Sequence, residues 1–119
     1  MAATKTLSTL IAAGTSNAAA GTTTGTAKNT STAYGGAVTA KLTNGATGPT
    51  VAAQAHVLVS GDNVNWKTLC TFYGDTVNNS VNEFAVDINP GYQYVNVKVD
   101  SNTAQAVTCE AFFHELTTV

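Results

Sequence analysis

A chain of 119 residues has room for one domain with one core, and the whole of 1–119 reads as a single β-sandwich domain. Only 10% of the residues are charged against 44% hydrophobic, and the formal net charge is −2. Five Lys and no Arg cannot line a nucleic acid groove. No run reaches the ~18 apolar residues of a spanning helix, and abundant Thr and Val is not the composition of a disordered chain. Nucleic acid and membrane are therefore not expected partners.

The chain opens on Thr4 to Ile11, a strand pattern. Lys5, the stretch Leu7 to Ala13 and Ala18 to Ala20 imitate a secretion signal, but Ser8 and Thr9 interrupt an already short apolar run, so structure is the expectation. Gly21 to Thr26 is rich in β-branched Thr and reads as a short edge strand. Val38, Ala40 and Leu42 alternate with Thr39 and Lys41; turn residues Asn44-Gly45 and Gly48-Pro49 follow. Val51, Ala53, Ala55, Val57 and Val59 then mark one face of a strand that carries Gln54, His56 and Leu58 on the other.

Ser60 to Asn63 starts a hairpin into the strand Trp66 to Phe72. After the polar loop Asp75 to Ser80, Phe84, Val86 and Ile88 alternate with Glu83, Ala85 and Asp87. Asn89-Pro90-Gly91 is a turn, Val95, Val97 and Val99 the next strand face, and Asp100-Ser101-Asn102 another turn. Val107, Cys109, Ala111 and Phe113 define the last strand. No stretch keeps a 3.6-residue apolar period, so the expected fold is an all-β, antiparallel, jelly-roll-like sandwich of about eight strands. A seven-stranded immunoglobulin-like sandwich is the alternative, although Trp66 precedes both cysteines rather than lying between them.

Catalytic and cofactor signatures are missing from the sequence. Cys70 and Cys109 sit inside strand patterns, where a free thiol packs as a small hydrophobe; a disulfide between them requires that their strands face each other. His56 and His114 have no partner at metal-ligand spacing and read as partly exposed strand histidines. Asp62-Asn63-Val64-Asn65 resembles the start of a calcium loop, but no Glu follows at the required distance and a β-turn is expected. The carboxylates are scattered singly, and there is neither a phosphate loop nor a Gly-x-Ser-x-Gly elbow. No enzyme activity, cofactor or metal is expected. Trp66, Tyr73, Tyr92 and Tyr94 could form a sugar-stacking platform, but packing of Trp66 at the edge of the core or on its rim is the preferred reading.

Three stretches carry a family resemblance: Thr4-Lys5-Thr6-Leu7, Tyr34-Gly35-Gly36-Ala37 through Gly48-Pro49, and the hairpin Val57 to Trp66 together with Cys109 to Phe113. Here the chain resembles small virion structural proteins of tailed bacteriophages, of the jelly-roll capsid decoration or cement kind. The resemblance implies a protein made in the host cytoplasm and carried on the outer capsid surface. Its partner would be the major capsid protein, bound as a homo-oligomer, a trimer being the expected form. Long Thr-, Ala- and Gly-rich stretches poor in charge suit such assembly, because they leave sheet edges unprotected by ions. Met1, Ala2, Ala3, Thr4 and Lys5 are the candidate interface, as an arm reaching a neighbouring subunit. A carbohydrate- or receptor-binding module of a tail or fibre, and a minor structural protein of the tail, are the competing readings.

Overall fold

The computed structural model describes residues 4–118, which hold nine strands and no helix. In chain order the strands are β1 (Thr4–Asn17), β2 (Thr23–Thr24), β3 (Lys28–Asn29), β4 (Gly36–Asn44), β5 (Gln54–Ser60), β6 (Trp66–Tyr73), β7 (Val81–Ile88), β8 (Tyr94–Asp100) and β9 (Val107–Thr118). One sheet runs β1-β9-β4-β7 and the other β2-β8-β5-β6, with β3 also on the edge of β8. Every pairing is antiparallel. Only β5 and β6 form a hairpin within one sheet. With β2 and β3 taken as one interrupted edge strand, every other link crosses between sheets. That is the strand order of a jelly roll, and the immunoglobulin-like alternative is set aside.

Alternation decides which residues meet between the sheets. Val38 and Leu42 on β4, Val107 and Phe113 on β9, Val57 on β5 and Val95, Val97 and Val99 on β8 are all essentially inaccessible. Each such side chain contributes roughly 1.5–3 kcal/mol relative to exposure. At the open edge, Phe72 of β6 and Phe84 of β7 close the gap with rings stacked 4.8 Å apart. Val and Ala dominate the rest of the core, and these small side chains let the sheets approach closely.

Two expected elements differ. The Thr-rich segment Gly21 to Thr26 does hold an edge strand, but only at Thr23–Thr24; β8 is paired again at Lys28–Asn29, beyond that segment, with a break between. The break occurs where Gly25 donates to Val97 O at 2.9 Å, Thr26 donates to Leu10 O at 2.8 Å and the Asn96 amide donates to Gly25 O at 2.8 Å. A Cβ on Gly25 would come within 2.6 Å of both Asn96 Oδ1 and Leu10 O, so only glycine fits this crossing. The strand expected from Val51 begins instead at Gln54, and Val51 is 48% exposed.

Candidate functional site

Strands β1, β4, β6 and β8 run toward one end of the sandwich, where residues 18–22, 45–53, 74–80 and 101–106 form four neighbouring loops. Polar side chains tie these loops together in pairs. Asn17 and Asn102, both buried, bond to each other through their side-chain amides. The Asn102 amide also donates to Gln105 O at 2.9 Å and Asn17 O at 3.2 Å, while that of Asn17 donates to Gly21 O at 3.1 Å. Asn44 donates to Asp75 Oδ1 at 3.0 Å and to Val77 O at 2.9 Å, and Gly48 N donates to Asn78 Oδ1 at 2.7 Å. A Cβ on Gly48 would collide with the Thr76 carbonyl. Thr50 N donates to Thr103 O at 3.0 Å, joining a third pair of loops.

The surface these bonds hold is nearly free of charge. Asp75 is the only ionisable residue in the four loops. Its carboxyl is held below the usual carboxylate range by hydrogen bonds from Ser80, Asn82 and the Val77 amide, with Asn44 adding to them against the opposing effect of burial. Val51 in the 45–53 loop and Val77 in the 74–80 loop stand exposed, and Val81 is exposed at the base of the latter. Ala20, Asn79, Ser101 and Ala104 all have left-handed backbone here, a conformation that costs a non-glycine residue free energy and is held only by its surroundings.

The other candidates separate. Cys109 is buried and Cys70 partly buried; both are free thiols. Burial pushes the Cys109 thiol up to about 11 and raises that of Cys70 as well, so neither is a thiolate at neutral pH. Both point inward, whereas His56 lies on the outer face of one sheet and His114 on that of the other, bonded to Thr39 Oγ1 at 3.0 Å. No Cys–His pair forms, and the described residues hold no cluster of three metal-ligating side chains. The Asp62 carboxylate accepts from Asn65 N at 2.8 Å, Val64 N at 2.9 Å and the Asn65 amide at 2.7 Å. These bonds, led by the Asn65 backbone N–H, hold it far below the usual range and use it up within its own turn.

Of the aromatic residues, Trp66 and Tyr94 both face outward opposite Ser60, and Tyr92 packs on the core. Trp66 is half-buried on this outer face rather than packed at the core edge. Tyr73 is 64% exposed at the opposite end of the same sheet face. Of the expected interface, Met1, Ala2 and Ala3 lie outside the described residues. Thr4 and Lys5 are exposed on β1 and paired with Thr118 and Leu116.

One arrangement was invisible in the sequence. His56 Nδ1 lies 2.8 Å from Thr71 Oγ1, and its Nε2 lies 2.8 Å from Asp100 Oδ1. With Nε2–H donating to Asp100, Nδ1 is left to accept from the Thr71 hydroxyl, the order of a nucleophile, a base and its orienting carboxylate. Thr71, His56 and Asp100 sit on three adjacent paired strands, and their hydrogen bonds tie β6, β5 and β8 together across the outer face.

No family model matches the sequence, and no curated protein matches it. Its fold is similar to solved structures. PirA has 11% identity and a TM-score of 0.57, over 92% of this chain and 92% of that one. A chain of Bacillus endospore appendages, described as disulfide-linked pili, has 14% identity and a TM-score of 0.55, over 100% of this chain and 93% of that one. A chain of infectious bursal disease virus, Gt strain, has 11% identity and a TM-score of 0.50, over 95% of this chain and 32% of that one. At such low identity the likeness is one of fold.

Proposed function

We propose that this chain is a non-enzymatic virion structural protein of the decoration kind. It sits on the outer capsid surface, binds across neighbouring copies of the major capsid protein and stabilises the shell. The loop end carries this reading: a surface with one charge, already engaged, exposed Val51 and Val77, and loops bonded to one another. Loops held in place before binding lose little further freedom on docking. Small neutral side chains let another chain approach closely without desolvating ions.

An interface of standard size, roughly 1,200–2,000 Å², repeated over many copies makes attachment effectively multivalent. The segment Met1 to Lys5 adds a second contact to a neighbouring subunit, and the free protein associates with itself as a trimer. Fold likeness to a pilus chain and to a chain of a virus, both parts of assemblies by their descriptions, agrees with the reading.

The test is co-sedimentation of the purified protein with shells that lack it. Binding is expected to be saturable and little affected by salt, because few charges meet. Replacing Val51 and Val77 together by Asp should weaken binding by about tenfold or more at unchanged melting temperature, a loss of ~1.4 kcal/mol or more. Equal binding by that variant would count against the loop end as the interface. If particles without the protein stay robust but fail to adsorb to cells, a receptor- or carbohydrate-binding role takes its place.

A further inference from the structure

The outer face of the β2-β8-β5-β6 sheet holds a polar arrangement that the assembly role leaves unused. Antiparallel pairing sets Asp100, Gln54 and Tyr73 in one row across β8, β5 and β6, and Lys98, His56 and Thr71 in the next. Directly paired residues share a face, so the six side chains occupy one patch about two strand spacings, roughly 10 Å, across. His56 Nε2 and Ser101 Oγ donate to Asp100 Oδ1 at 2.8 and 2.9 Å, and Thr71 locks the far side of the imidazole. The carboxylate is thereby held in one orientation. Its other oxygen, Oδ2, meets only Lys98 Nζ among the described residues, at 3.9 Å, an ion pair too long for a hydrogen bond. Burial would raise the Asp100 carboxyl, but hydrogen bonds from His56 and Ser101 and the nearby Lys98 charge together keep it below the usual range, hence ionised at neutral pH.

From this geometry we infer a binding site for a neutral sugar, in which a vicinal diol bridges Asp100 Oδ2 and Lys98 Nζ while the ring rests on Tyr73. One hydroxyl donates to Oδ2, and the adjacent hydroxyl oxygen accepts from Nζ; a diol supplies both at fixed spacing. The Gln54 side chain lies between the two anchors in the same row and offers both a donor and an acceptor. Tyr73, 64% exposed, presents an apolar ring with a hydroxyl at its rim, as contact with a pyranose requires. Opposite charges on Lys98 and Asp100 cancel, which favours a neutral polyol over a phosphate. The site does not depend on the proposed capsid role.

The experiment is titration of the isotope-labelled full chain with glucose, galactose, mannose and N-acetylglucosamine at millimolar concentrations, followed by amide chemical shifts. At least one of these sugars should shift Gln54, Tyr73, Lys98 and Asp100 selectively. Tyr73→Ala should weaken its binding by about tenfold. Lys98→Met should remove the response, and the circular dichroism spectrum and melting temperature of the Tyr73 variant should be unchanged, because that side chain is exposed. The inference is overturned if none of the four sugars shifts these amides, if the shifts fall elsewhere, or if Tyr73→Ala binds as tightly as the parent. Shell binding is read in a separate assay, so failure here is distinguishable from failure of the assembly reading.

Discussion

Asn102→Ala removes a side chain that is completely buried among backbone carbonyls. Its amide nitrogen serves Gln105 O at 2.9 Å, Asn17 O at 3.2 Å and, more weakly, Ala18 O at 3.4 Å, and its oxygen accepts from the Asn17 amide. Truncation leaves the two closer carbonyls without this donor and deprives Asn17 of one of its two acceptors, Gly21 O remaining. An orphaned buried polar group costs roughly 1–3 kcal/mol. Water reaches a loop end more easily than a core, so a value near the bottom of that range, about 1–1.3 kcal/mol, applies to each of the three groups. The sum is about 3–4 kcal/mol, a large share of the ~5–15 kcal/mol typical of a domain. Urea unfolding followed by circular dichroism should show the midpoint falling by about 1–2 M at constant slope. A double-mutant cycle with Asn17→Ala should give a coupling above ~1 kcal/mol, since the two amides share one hydrogen bond. A loss below ~1 kcal/mol for Asn102→Ala would refute the view that this pair fastens the loop end.

Thiol titration of denatured, non-reduced protein should find both Cys70 and Cys109 reactive, while in the native protein Cys109, buried and raised to about 11, should resist labelling far longer than Cys70; a single non-reactive pair in the denatured chain would mean a disulfide. Asp75 and Asp100 are depressed in the folded state, so the stability they contribute is complete above the unfolded value of ~3.9 and lost as pH falls through the folded values. The melting temperature should therefore hold down to about pH 5 and decline below pH 4, with a shallower decline in Asp75→Asn; an equal decline in that variant would contradict the assignment. Trp66→Ala, at a half-buried position on the outer sheet face, should cost about 1–2 kcal/mol in chemical unfolding rather than the ~3–5 of a fully buried ring, and a larger loss would place Trp66 in the core.

Strand existence was legible because a period of two needs no tertiary information. Val95, Val97 and Val99, or Val107 through Phe113, declare a buried face by themselves, and both runs are buried. The irregular parts were not legible. The first strand runs on to Asn17 through register shifts between Thr9 and Thr15, and Leu10 and Ile11 are buried consecutively, which breaks the alternation that would have announced the longer strand. The split of the Thr-rich edge depends on Gly25 meeting Leu10 O, a contact between segments that local preference cannot reveal. Register explains what was missed among the polar residues. Thr71, His56 and Asp100 become neighbours only when β6, β5 and β8 are aligned to the residue, and Asn17 finds Asn102 only once two crossovers have been placed. Asn44 and Asp75 were readable as turn residues, but not as partners holding one loop against another.

The most direct measurement of the central claim is high-resolution electron microscopy of purified particles that carry this chain. A jelly-roll density on the outer capsid surface is predicted, at junctions between major capsid subunits, with loops 45–53 and 74–80 turned toward the shell. Density confined to a tail or fibre, or a loop end facing solvent, would contradict it.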